Sequence, residues 1–202
     1  MSYPTFYDDV KTIKTYDPIA DTLGSFEDGL IKFRYIQVVK AAGHSCPTVA
    51  GAYLMAMKGL ETLYPDTLAY RGKIEVRFKE SEDEGVTGVI ANVITQITGA
   101  NNQSGFKGLN GNFARHDLRF FDKNIDSSVR FTRTDTGQSV DVYYNPNAVK
   151  PNPRVAELMP KVMSGNANKT EKKEFGELWQ ERVKRILIDE LDNENLIRVE
   201  NI

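Results

Sequence analysis

The only cysteine of the chain stands in Gly43-His44-Ser45-Cys46-Pro47. Proline suits the first position of a helix, because its missing N–H would have no helical partner there. Cys46 is therefore the expected N-cap. Unpaired backbone N–H groups and the helix dipole favour negative charge at such a place, a thiolate included. His44 lies two residues before the thiol, and Gly43 lets the chain turn sharply between them and what precedes. An imidazole nitrogen and a thiolate meeting at a helix start make half of a metal site. A buried, inert thiol is the plainer alternative.

Zinc needs at least one more protein ligand, with water or substrate in the open position. The second and last histidine, His116, sits in Arg115-His116-Asp117. It is the candidate third ligand, with Asp117 as an orienting group, against the ordinary reading of a loop histidine. Glu82, Asp83 and Glu84 are a further option, although an acidic run is usually a solvated turn. Residues 99–112 carry four Gly and four Asn. Gly99, Gly105, Gly108 and Gly111 could turn backbone N–H groups toward an anion, and Lys107 adds a charge. The Walker A spacing is absent.

The elements that must position these groups read as α+β. A short helix begins at Asp17-Pro18 and a strand covers 30–35. A short helix runs to Gly43, and a strong one starts at Pro47 and stops before Pro65. Its Gly51 and Gly59, with Ala50, Ala52 and Ala56, make a thin face suited to close packing. Residues 73–79 alternate as a half-buried strand. Val86, Val89, Ile90, Val93, Ile94 and Ile97 form a helical stripe, despite their β-branched content. Strands are expected over 118–121, 128–133 and 139–144, the last two joined by a turn at Thr134-Asp135-Thr136-Gly137. Two helices follow, the second opened by the capping box Asn168-x-x-Glu171, and a terminal strand spans 196–199. The expected architecture is an antiparallel or mixed sheet packed with helices: a core over 1–148, then a helical extension over 149–202 lying on the core or on a dimer partner.

The Gly-His-x-Cys-Pro segment with the small-residue helix after it resembles the G-H-x-C-P motif of the FmdE family, named for the E subunit of formylmethanofuran dehydrogenase. Thr98-Gly99 and the loop bearing Gly105, Lys107 and Gly108 resemble the family's second block. The likeness covers roughly residues 30–122. It implies an α+β core, often a homodimer, with a metal site, usually zinc, near the motif helix. His44 and Cys46 carry over directly. The family's other frequent ligand places hold Ala42, Val89, Asn92 and Ala100 here, and the cysteine-rich C-terminal finger of some members is absent.

Composition sets bounds on function. One Cys excludes an internal disulfide and points to a reduced, cytoplasmic setting. A closed zinc knot is beyond one Cys and two His, so any metal site must be open, shared or completed by oxygen. A net charge of -2 over 202 residues gives no electrostatic case for nucleic acid. The N-terminus lacks a secretion pattern, and no apolar run is long enough for a bilayer. The expected function is metal binding at an open His/Cys site, with binding or transformation of a small ligand. The alternatives are thiol or redox chemistry with Cys46 as nucleophile and His44 as base, haem held by Cys46-Pro47 with His44 or His116 opposite, and a non-enzymatic accessory subunit.

Overall fold

Short alternating segments pair and longer periodic ones coil, in the order the chain presents them. The computed structural model describes residues 3–202. After a 3-10 turn at Thr5–Asp8 come β1 (Ile13–Tyr16), α1 (Pro18–Thr22), β2 (Leu30–Phe33), α2 (Tyr35–Ala42) and α3 (Pro47–Leu63). Next are β3 (Ala69–Tyr70), β4 (Ile74–Phe78), α4 (Thr87–Thr98), β5 (Arg119–Phe120), β6 (Val129–Arg133) and β7 (Ser139–Tyr144). The chain closes with α5 (Pro153–Met163), α6 (Lys169–Lys184), a π-helical turn at Arg185–Asp189 and β8 (Ile197–Asn201).

Two mixed sheets result. One has the order β2-β1-β3, the other β5-β4-β6-β7-β8. This is an α+β fold. β8 returns beside β7 with Val142 opposite Val199, so the residues after 149 complete the larger sheet. No helix among the described residues is long and apolar enough to cross a membrane.

Helix α3 organises the core. Twelve of its residues are buried, from Val49 to Leu63. A helix buried almost all round must have partners on several sides, and α3 packs on α4, β6, β7 and β8. Its glycines allow the closest approaches. A Cβ on Gly51 would fall 2.2 Å from the Tyr144 ring, and one on Gly59 would fall 2.8 Å from the Phe131 ring. The thin face expected from the sequence thus lies against β6 and β7.

Other local signals also form. The β-branched stripe is the helix α4. The turn after β6 closes through Gly137, at φ 78°, whose N–H donates to Arg133 O at 2.9 Å. At the start of α6, Asn168 and Glu171 exchange both capping-box bonds. Two strands go unread in the sequence and two expected strands shift their bounds. β1 and β3 lie in segments without a clear alternating signal, and pairing with each other and with β2 makes them strands. The strand expected over 118–121 shortens to β5, where only Arg119 and Phe120 pair with β4. The terminal strand begins one residue later than expected and runs to Asn201.

Cross-strand partners Arg130 and Asp141 form a bidentate ion pair, with both N–O distances 2.7 Å, and Ser127 Oγ donates to Asp141 at 2.8 Å. Burial alone would raise the Asp141 carboxyl, but the bonds from Arg130 and Ser127 outweigh it and hold the group below its ordinary value of 3.8. The unfolded state then binds the proton first, so this stabilisation is present above about pH 4 and fades as pH falls through the lower folded value. Asp141→Asn is expected to be less stable than wild type at pH 7, with the gap narrowing in acid. Urea midpoints at pH 7 and pH 3 measure it. Gly51→Ala and Gly59→Ala should each destabilise by about 1–3 kcal/mol through overpacking, although alanine is the better helix former by about 1 kcal/mol. Chemical denaturation of the two variants checks the sign.

Candidate functional site: the His44–Cys46 pair

Helix α2 stops at Gly43, whose φ of 75° is left-handed. Nothing lies within 4 Å of where its Cβ would be, so the backbone turn and not space calls for glycine. Three residues later the chain is extended at Cys46, φ -149° and ψ 170°, and Pro47 opens α3. Cys46 is the N-cap: Val49 N–H donates to its Sγ at 3.5 Å.

This reversal folds His44 back over the thiol. His44 Nε2 is 3.4 Å from Cys46 Sγ, and Nδ1 is 3.0 Å from Ala42 O. A carbonyl can only accept, so the Ala42 contact places the ring proton on Nδ1. Nε2 is left as the acceptor that faces sulfur. His44 is exposed and Cys46 is partly buried. The sulfur is therefore not sealed in the core.

Long-range bonds hold the loop from both sides. Ser45 O accepts from Trp179 Nε1 at 3.2 Å and from Gln180 Nε2 at 3.1 Å, and Gln180 in turn accepts from Tyr7 Oη at 3.0 Å. Ser45 Oγ is 2.9 Å from Tyr35 Oη. Tyr144 Oη donates to Pro47 O at 2.8 Å. Burial pushes the Tyr35 and Tyr144 phenols well above their usual range, so both keep their protons at neutral pH. Tyr144, with Thr48 of the first turn of α3, also lines a cavity of about 300 Å³ between α3, α4 and the start of β6.

The donor pair suits a transition-metal ion. Zinc bound to nitrogen at about 2.0–2.1 Å and to sulfur at about 2.3 Å, near the tetrahedral angle, holds the two donors about 3.5 Å apart. The backbone bond to Nδ1 is the kind of outer support that ligating histidines carry. Among the described residues, however, no group of three or more His, Cys, Asp or Glu side chains gathers to hold a metal.

Of the expected third ligands, His116, Glu82 and Asp83 are engaged elsewhere, and Glu84 joins no cluster of donor side chains. His116 bonds its neighbour Asp117 and lines a different cavity beside Tyr70 and Lys73. Glu82 accepts from Arg119 at 3.0 Å, and Asp83 accepts from Ser81 at 2.9 Å. The loop 99–112 folds onto the His116 segment: Asn101 N–H donates to Arg115 O at 2.9 Å and Arg115 N–H to Phe106 O at 2.8 Å. A Cβ on Gly105 would fall 2.6 Å from Arg115 O, and one on Gly108 would fall 2.3 Å from Asn112 O. Those two glycines serve the loop's own close packing, and Lys107 donates to Gln103 O.

Sequence reasoning missed a buried charge cluster. Asp17 caps α1 through Ile19 and Ala20, and it also accepts from Arg71 at 2.6 Å and from Arg115 at 2.7 Å. Arg71 further donates to Ile97 O and Gln96 O at the end of α4. These partners are 54 and 98 residues from Asp17, so no local pattern announces them.

A family model described as "FmdE, Molybdenum formylmethanofuran dehydrogenase operon" matches residues 41–195. The chain belongs to this family. No curated protein matches it.

In metal-free folded protein, Cys46 should react completely with an aromatic disulfide reagent without denaturant. A thiol that appears only after unfolding would show that the sulfur is shielded in solution.

Proposed function

We propose that this FmdE-family protein binds zinc or a similar divalent transition ion through His44 Nε2 and Cys46 Sγ. The observation that carries the reading is the 3.4 Å separation of those two atoms, with the tautomer set by Ala42 O. The donor set is mixed imidazole and thiolate, which suits zinc better than the hard cations. Two donors leave the coordination open. A second copy of the chain or the oxygen of a small ligand supplies the rest. A bound ion of this kind contributes Lewis acidity. The chain's own residues hold it, orient the imidazole and keep the phenols of Tyr35 and Tyr144 protonated nearby.

Metal content of protein purified without added metal tests this. The expected result is stoichiometric zinc, lost in both Cys46→Ala and His44→Ala while circular dichroism stays unchanged. Metal-free protein that also fails to bind zinc on titration would overturn the reading, as would undiminished binding in both variants.

The same contact supports a second reading, a thiol nucleophile with His44 as its base. His44→Gln would then strongly slow alkylation of metal-free protein at neutral pH. A purely ligating imidazole predicts little change.

A further inference from the structure

The buried cluster behind α1 is unbalanced. One carboxylate, Asp17, faces two guanidinium groups, Arg71 and Arg115, and an arginine keeps its charge in any protein environment. Arg115 is only 8% exposed, and its Nη1 is buried with no hydrogen-bond partner. A buried donor left unpaired is costly, and surplus charge in a low-dielectric interior costs more. Burial pushes both guanidinium groups below their usual range, with Asp17 opposing the shift.

That orphan donor lies against a cavity wall. The position of a Gly72 Cβ would be 2.4 Å from Arg115 Nη1, and Gly72, at φ 82°, lines a cavity of about 360 Å³. Arg115 itself does not line the cavity, so its charge acts from behind Gly72. Arg71, Lys73 and His116 share this lining, and no Asp or Glu does. Lys73 has no carboxylate partner among the described residues, and it is exposed. His116 has Asp117 on Nδ1, which leaves Nε2 as its free ring nitrogen.

We propose that this cavity binds a small molecule through a carboxylate or phosphate group. The oxyanion meets Lys73 at the mouth, and His116 Nε2 donates to it when that ring carries protons on both nitrogens; Arg71, which lines the cavity, brings the surplus charge of its cluster with Asp17 and Arg115 up behind the wall. The site is separate from the His44–Cys46 pair and does not depend on the reading given to it.

The chain has two histidines, so proton NMR shows two imidazole signals, assigned with His116→Gln. The probes are inorganic phosphate and acetate, titrated at fixed pH and fixed ionic strength with chloride as the balancing salt. The expected result is a saturable shift of the His116 signal with the His44 signal unmoved, and binding weakened about tenfold in Lys73→Gln, the worth of one charge-assisted hydrogen bond. Saturation by phosphate alone or acetate alone identifies which oxyanion the cavity takes. A shift that never saturates, one shared equally by both histidines, or one unchanged in Lys73→Gln would overturn the proposal. Lys73 is exposed and His116 partly exposed, and neither belongs to the hydrophobic core, so both variants are expected to keep the fold.

Discussion

The close seat of α3 on β7 fixes everything around Cys46. Gly51 has no side chain, so the Tyr144 ring lies directly on the helix. From that seat the Tyr144 hydroxyl reaches Pro47 O in the first turn. The helix start is thereby tied to the end of a strand nearly a hundred residues away. On the other side, Trp179 and Gln180 of α6 hold Ser45 O. The loop between Gly43 and Pro47 hangs between these two clamps. Its imidazole and thiol face each other because their backbone cannot drift, since a 3.4 Å contact between two partly exposed side chains is too weak to set the geometry alone.

The two polar centres of the molecule carry different energetic weight. The ion cluster at Asp17 is buried, and removing that carboxylate would strand two guanidinium groups at a cost of about 3–5 kcal/mol. Its residue types are required by the fold, whatever else they do. His44 and Cys46 are a different case. His44 is exposed, and the one cap bond to Sγ is long at 3.5 Å. Serine or asparagine caps a helix at least as well. Capping therefore gives no reason for a thiol at position 46, although its sulfur also packs on the edge of the core, and nothing in the packing asks for an exposed imidazole at position 44.

Local features of this fold were legible and distant ones were not. Pro47 after Cys46 announced both the helix and its cap, and the offsets from Val86 to Ile97 outweighed the β-branched content. Asn168 and Glu171 announced their own reciprocal bonds. The nearness of His44 and Cys46 at the helix start was readable, but their spacing did not by itself place the ring against the sulfur; the bond from Nδ1 to Ala42 O does that in the fold. By contrast, β1 becomes a strand by pairing with β2 and β3, and β3 only by pairing with β1, 54 residues away. The place of His116 was beyond reach for the same reason. The loop that carries it is fixed by backbone bonds from Asn101 to Arg115 and by an arginine that pairs with Asp17, and neither contact leaves a mark in the neighbouring sequence.

A coordination argument follows from where the few soft donors lie. With one cysteine and two histidines, and with His116 occupied by Asp117 at another cavity, the helix start offers two such donors within one chain. The neighbouring phenols are protonated and already bonded, Tyr35 to Ser45 and Tyr144 to Pro47. An ion seated on Nε2 and Sγ must then take its remaining ligands from outside this cluster. Half of its coordination would be exchangeable by construction. That is a poor design for a structural knot, which closes its shell with protein atoms, and a serviceable one for an ion that must meet a ligand or a second chain.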